Sequence, residues 1–288
     1  MGSSSAGRAV VPSAAAKERP RSEWIMRLWQ PPATAGVRLL ARLGVDPQGV
    51  VWSHATIGMV AAGAIALGGA PAWWAAALLL QVKSLLDSMD GGLARATGRV
   101  TQMGRYLDTA LDTIVNAALF AALALHGPAG WAWPLALGAL LLLTAMLSLD
   151  FNLERRYRSL RGELAPDGDA PAGAPESRLR LFRGFYEALL APQDRLIERL
   201  DRAAFARLRR APFEAADLVD RLAWNDLWST ATLVNLGLST QMALLGLCLA
   251  LGQPFAYVVA VYALAAYVVA LQALRGARFR RYLGRVAA

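Results

Sequence analysis

Asp87-Ser88-Met89-Asp90-Gly91-Gly92-Leu93-Ala94-Arg95, followed after eight residues by Gly104-Arg105-Tyr106-Leu107-Asp108-Thr109-Ala110-Leu111-Asp112, places four carboxylates among long apolar stretches. An ionised carboxylate at membrane depth costs about 2.5–3.5 kcal/mol even on lenient insertion scales, so four together require a compensating ligand. Residues three or four apart share a helix face, so Asp87/Asp90 and Asp108/Asp112 each form a neighbouring pair. Two such helices, packed together, would converge all four. Oxygen donors with no cysteine or histidine near them in the sequence suit hard cations such as Mg²⁺ or Mn²⁺. A two-ion site for phosphoryl chemistry is the leading inference.

The surrounding composition fits a membrane protein. Of 288 residues, 56% are apolar, yet the formal net charge is +9, and mean hydropathy is +0.36. Soluble domains seldom combine these. The solitary Cys248 excludes an intrachain disulfide framework and a thiolate metal site. No nucleic-acid partner is expected. Residues 1–20, rich in Ser, Ala and Gly, lack the apolar core of a signal peptide and are expected to form a mobile tail. The myristoylation pattern fails at Ala6.

Six stretches are long and apolar enough for a span of about 20 residues: Gly49–Gly69, Ala72–Leu93, Gly104–Leu125, Trp131–Leu149, Thr230–Leu251 and Phe255–Leu274. Asp46-Pro47 provides a helix start, with an N-cap followed by proline at the first helical position. The connections at 69–71, 126–130 and 252–254 contain no lysine or arginine, whereas the regions on the other side are crowded with them. The positive-inside rule then puts both termini, the aspartates and the 151–226 segment in the cytoplasm. The expected fold is an all-α integral membrane protein of six transmembrane helices. A juxtamembrane amphipathic helix at 21–46, broken by Pro31-Pro32, precedes the catalytic block of spans one to four at 47–150. A basic helical insertion at 151–226 follows, with a Pro/Gly/Ala/Asp-rich linker at Ala165–Pro175. Spans five and six at 227–274 and a basic tail at 275–288 complete the chain. An alternative for 21–46 is a soluble segment packed on the cytoplasmic loop.

Taken together, Asp87-x-x-Asp90-Gly91-x-x-Ala94-Arg95-x8-Gly104-x-x-x-Asp108-x-x-x-Asp112 resembles, position for position, the signature of the CDP-alcohol phosphotransferases, membrane enzymes of phospholipid synthesis. A chance match of eight specified positions has a probability on the order of 10⁻⁸ to 10⁻⁷. Val37–Pro47 resembles the family's entry into its first span, although Asp46 and Gln48 stand where threonine and asparagine are common. The insertion is longer than the family leads one to expect. The resemblance implies two divalent ions held by Asp87, Asp90 and Asp108, with Asp112 as general base and as a further ligand. It also implies that Gly91, Ala94, Arg95, Thr101 and Gly104 surround the nucleotide. It implies transfer of a phosphatidyl group from CDP-diacylglycerol to a polar alcohol with release of CMP, by a homodimer in a bacterial inner membrane. The sister reaction, phosphoalcohol transfer from a CDP-amino alcohol to diacylglycerol, shares the motif.

Other residues carry alternatives. Arg155 and Arg156, at the cytoplasmic end of the fourth span, are placed to hold a phosphorylated acceptor; as part of the arginine-rich insertion they also fit a solvated loop. Lys83, one turn before Asp87, can pair with it, reach the pocket, or snorkel to the interface. Asn116 continues the Asp108/Asp112 stripe. His54 and Asn235 read as polar residues satisfied between helices rather than catalytic. Gly91 and Gly104 fit close helix packing as well as ligand approach, and Gly237, Ser239 and Gly246 permit close helix contact. A cation pathway through a transporter is the alternative of another class. It would call for discontinuous spans or an inverted repeat, and neither is legible in the sequence.

Overall fold

Proline starts the first long apolar helix. Its fixed φ suits the first turn, and the missing N–H is not needed there, so α2 (Pro47–Leu67) begins directly after Asp46. Asp46 stands at the N-cap position but its side chain makes no capping hydrogen bond. This computed structural model describes residues 24–162 and 171–286, and no strand occurs among them. The expected tail at 1–20 lies outside the described residues, as do 163–170 of the linker and the last two residues.

The remaining helices are α1 (Trp24–Arg42), α3 (Ala70–Ala96), α4 (Gln102–Ala124), α5 (Ala132–Leu160), α6 (Glu176–Leu189), α7 (Ala191–Arg209), α8 (Leu218–Trp224), α9 (Leu227–Leu233), α10 (Leu238–Ala250) and α11 (Ala256–Val286). Five segments are long and apolar enough to cross a membrane: α2, α4, α5, α11 and the composite Leu218–Ala250. The sixth expected span, Ala72–Leu93, forms within α3. At 27 residues α3 has the length, but Lys83, Asp87, Asp90 and Arg95 lower its apolar content.

Two expectations need correction. Pro31 and Pro32 do not break α1, which runs through them. Both prolines sit on its exposed face, while Ala33 and Val37 on the opposite face pack against Met89 of α3. The fifth span is discontinuous, contrary to the sequence reading. After α9 the chain makes a short 3₁₀ turn, Val234–Leu236, and Gly237 is extended before α10 begins. Gln241 compensates, because its amide donates to the Leu236 carbonyl at 3.2 Å and its oxygen accepts from the Tyr257 hydroxyl at 3.1 Å. A break that frees backbone groups inside a span persists only where such partners replace the lost bonds.

The main core runs through α2, α3, α4, α5, α10 and α11 and includes Ile65, Leu80, Leu123, Leu143, Leu245 and Val261. Within it, α3 packs most extensively on α2 and on α10, and α2 also packs on α4. Gly58 makes this three-helix contact possible. A Cβ there would lie 2.5 Å from Val115 of α4 and 3.4 Å from the Lys83 side chain of α3. The insertion is laid along the spans as a hairpin, α6 on α4 and α7 on α5. Thr144 of α5 donates to Gln193 of α7 at 3.1 Å, and Ser148 bonds Asp194. Tyr186 of α6 also donates to Asp194, at 2.6 Å. Burial and that carboxylate push its phenol well above the usual range, so it stays protonated.

Candidate functional site

Helix register brings the four aspartates to one place. Asp87 and Asp90 lie in the last turns of α3, Asp108 and Asp112 in the first turns of α4, and the short connection 97–101 turns one helix into the next. Between them stands His54 of α2, fully buried. Its Nε2 lies 3.1 Å from Asp90 Oδ2, 3.5 Å from Asp108 Oδ1 and 3.8 Å from Asp87 Oδ1. Its Nδ1 is 4.0 Å from Asp112 Oδ1. Lys83, 1% exposed, donates to Asp112 Oδ1 at 2.7 Å and lies 4.0 Å from Asp87 Oδ1. Snorkelling is thereby excluded: the ammonium turns into the cluster.

His54, read from the sequence as a polar residue satisfied between helices, meets Asp90 of α3 and stands against the other aspartates. It sits on a different helix from the aspartates, so no spacing connects them. Depth was the available signal. His54 and Asp108 lie roughly two turns from the N-terminal ends of α2 and α4, and Asp90 roughly two turns from the C-terminal end of α3.

Four carboxylates face one ammonium, and one proton on His54 can serve only one of them. Asp108 Oδ1 and His54 Nδ1 are both buried without a hydrogen-bond partner. Unpaired polar atoms in low dielectric cost more than a lost hydrogen bond in water. A divalent cation would relieve the charge surplus and give Asp108 Oδ1 a partner. The donor atoms of His54, Asp87, Asp90 and Asp108 all lie within 4.8 Å of one another, close enough to share one ion.

The residues expected at the nucleotide lie on the end of α3, the connection after it and the start of α4. A Cβ at Gly91 would meet only the Arg95 guanidinium, 3.3 Å away, and one at Gly104 only the Thr101 hydroxyl, 3.2 Å away. Neither would-be Cβ has an atom of another helix as its nearest neighbour within 4 Å. Ala94 and Arg95 occupy the last turn of α3. Thr101 is the N-cap of α4, its hydroxyl accepting from Gly104 N at 3.0 Å. The linker leading into α6 closes over this helix start: Gln102 N donates to Pro171 O at 3.0 Å and Met103 N to Ala172 O at 3.1 Å. Gly173 must be glycine here, with φ of +74° and a would-be Cβ 2.4 Å from Thr101.

The expected acceptor contacts divide. Lys83 joins the cluster. Arg155 is exposed on α5, whereas Arg156 bonds Asp201 of α7, approaches Glu198 at 3.5 Å and stacks 5.0 Å from the Phe213 ring. Asn116 is buried one turn beyond Asp112, and Asn235 lines a cavity of about 470 Å³ with Trp228, Thr232 and Tyr267.

Residues 51–166 match the model of the CDP-alcohol phosphatidyltransferase family. An archaetidylinositol phosphate synthase of Pyrococcus horikoshii is 32% identical over 114 residues, which are 40% of this chain and 55% of that protein. A phosphatidylinositol phosphate synthase of Cutibacterium acnes is 38% identical over 89 residues, 30% of this chain and 41% of that protein. A bifunctional IPC transferase and DIPP synthase of Aquifex aeolicus is 46% identical over 54 residues, 19% of this chain and 13% of that protein. The match thus spans about half the length of the archaeal synthase and less of the other two. The stretch that matches this family model holds His54, Lys83 and all four aspartates.

Proposed function

We propose that this chain transfers the phosphatidyl group of CDP-diacylglycerol to a phosphorylated polar alcohol, of the inositol phosphate or glycerol 3-phosphate class, and releases CMP. The observation that carries this reading is the convergence of Asp87, Asp90, Asp108 and Asp112 around His54 and Lys83 inside a matched family domain. The names of the archaeal and Cutibacterium relatives favour an inositol phosphate acceptor.

Asp87, Asp90 and Asp108 would hold two divalent ions, Mg²⁺ or Mn²⁺. When bound, these neutralise the donor diphosphate and stabilise both the entering and the departing oxygen. Gly91 and Gly104 leave backbone exposed, so the nucleotide can approach without meeting a Cβ. Arg95, beside Gly91, supplies a charge-assisted donor to its phosphates. Thr101 contributes by fixing the start of α4. Asp112 takes the proton of the acceptor hydroxyl. Lys83 orients it, because the ammonium occupies Oδ1 and leaves the other oxygen to act. The hydroxyl oxygen then forms its bond to phosphorus as the bond to CMP breaks. Arg155, exposed on α5, meets the phosphorylated acceptor.

The setting is an integral membrane protein of a bacterial inner membrane, a homodimer, with the aspartates and the basic insertion on the cytoplasmic side, where a soluble acceptor and a lipid donor meet. The test is CMP release by the purified protein with Mg²⁺ and CDP-diacylglycerol, across a panel of free and phosphorylated alcohols. Turnover with a phosphorylated alcohol supports the reading. Turnover only with CDP-choline or CDP-ethanolamine and diacylglycerol would transfer the chain to the sister reaction.

A further inference from the structure

We propose that His54 is itself a ligand of the divalent ion, so that this metal centre is built from one imidazole and three carboxylates. The inference rests on the metal-dependent reading above and adds a donor to it.

Three observations carry it. His54 reaches the aspartates from α2 and does so fully buried, where an imidazole without a purpose is costly. A structural histidine needs one carboxylate partner. Nε2 instead faces three, at 3.1, 3.5 and 3.8 Å, and a single N–H can bond only one. An ion with ligand bonds of about 2.1 Å sets adjacent donors about 3 Å apart and opposite donors about 4.2 Å apart. The measured separations fall inside that range. Finally, Lys83 draws Asp112 Oδ1 to itself at 2.7 Å, which leaves His54 to complete the set with Asp87, Asp90 and Asp108.

A nitrogen donor has a chemical consequence. Imidazole suits the later first-row metals better than Mg²⁺, which favours oxygen, so the mixed set shifts preference toward Mn²⁺ relative to a carboxylate-only site.

The test is pulsed electron paramagnetic resonance on the full chain in detergent, loaded with Mn²⁺ alone. The sequence has only two histidines, and His126 is bonded to Ile65 O, on the order of 16 Å further along α2 from His54. A histidine nitrogen coupling therefore reports His54. The expected result is a directly bound ¹⁴N coupling that converts to ¹⁵N when the protein is grown on ¹⁵N-histidine. His54→Gln should lose that coupling, and its Mn²⁺ affinity should fall about tenfold or more relative to its Mg²⁺ affinity. The isotope experiment uses the native chain, so it stands even if the variant does not fold. Bound Mn²⁺ without histidine coupling would overturn the inference and leave the transferase reading intact. Failure of the native chain to bind Mn²⁺ at all would overturn both.

Discussion

Among the described residues, two buried charge clusters differ in how completely they satisfy themselves. In the first, Arg156 of α5 and Arg275 of α11 grip Asp201 of α7, with Glu198 beside them. Trp224 Nε1 also donates to Asp201 at 3.3 Å. Arg275, 2% exposed, donates further to Trp224 O at 3.0 Å and stacks on that indole at 4.0 Å. Positive and negative groups balance. In the second, four carboxylates meet one lysine and one histidine, and Asp108 Oδ1 and His54 Nδ1 remain without partners. Buried charge that closes on itself joins helices. Buried charge left open waits for a ligand.

Breaking the open cluster should affect chemistry most. Asp112→Asn removes the proposed base and should lower CMP release by about 10²–10⁴-fold, equivalent to roughly 3–5 kcal/mol in the barrier. A variant with undiminished turnover would refute the assigned role. Asp108→Asn should also abolish most activity, but with a further signature. It relieves like-charge repulsion without robbing Lys83 of its partner, so the metal-free protein should melt at the same temperature or higher. A clear drop in melting temperature would show that the open cluster is structural after all.

The closed cluster should give the opposite pattern. Asp201→Ala strands two buried guanidinium groups, and removing one member of a buried ion network costs about 3–5 kcal/mol. Thermal unfolding in detergent should report that loss, while CMP release per folded molecule stays near the native value. Lost turnover in the folded fraction would instead tie the insertion to catalysis.

How much of this was legible beforehand follows from the same contrast. The aspartates were visible because helix periodicity is local: Asp87/Asp90 and Asp108/Asp112 announce their shared faces by spacing alone. The long helices were visible from apolar run length, although α3, with the charges it carries, is not among the segments apolar enough to cross a membrane. His54 and the Arg156–Asp201–Arg275 network were not, because each depends on helices distant in sequence meeting at one depth. Arg156 read as a phosphate contact for that reason. Its pairing with a carboxylate 45 residues away has no local trace. The break at Gly237 was hidden differently, since the apolar run continues through it and the Leu236 carbonyl is met by the Gln241 amide, which the Tyr257 hydroxyl holds.

Glycines sharpen the comparison at smaller cost. Gly58→Ala pushes a methyl to within 2.5 Å of Val115, where the helices meet, and should cost about 1–3 kcal/mol of stability through overpacking. Gly91→Ala meets only Arg95, so its melting temperature should barely move while KM for the CDP donor rises. Equal loss of stability in both variants would return Gly91 to a packing role.

The smallest effect is expected one residue from one of the largest. Arg202 bonds Glu198 at 2.7 Å and also bonds Glu214, a contact pattern that resembles the Asp201 network on paper. Yet the Arg202 side chain is 46% exposed and that of Asp201 only 8%. In high dielectric the Coulomb gain is screened and side-chain ordering offsets most of what remains, so an exposed pair contributes about 0.2–1 kcal/mol. Arg202→Ala should therefore shift the melting temperature by a small fraction of the Asp201→Ala shift. Raising salt should shrink that fraction further while leaving the Asp201 effect nearly intact. If the two neighbours cost the same, burial would not be what separates the closed cluster from ordinary surface pairing.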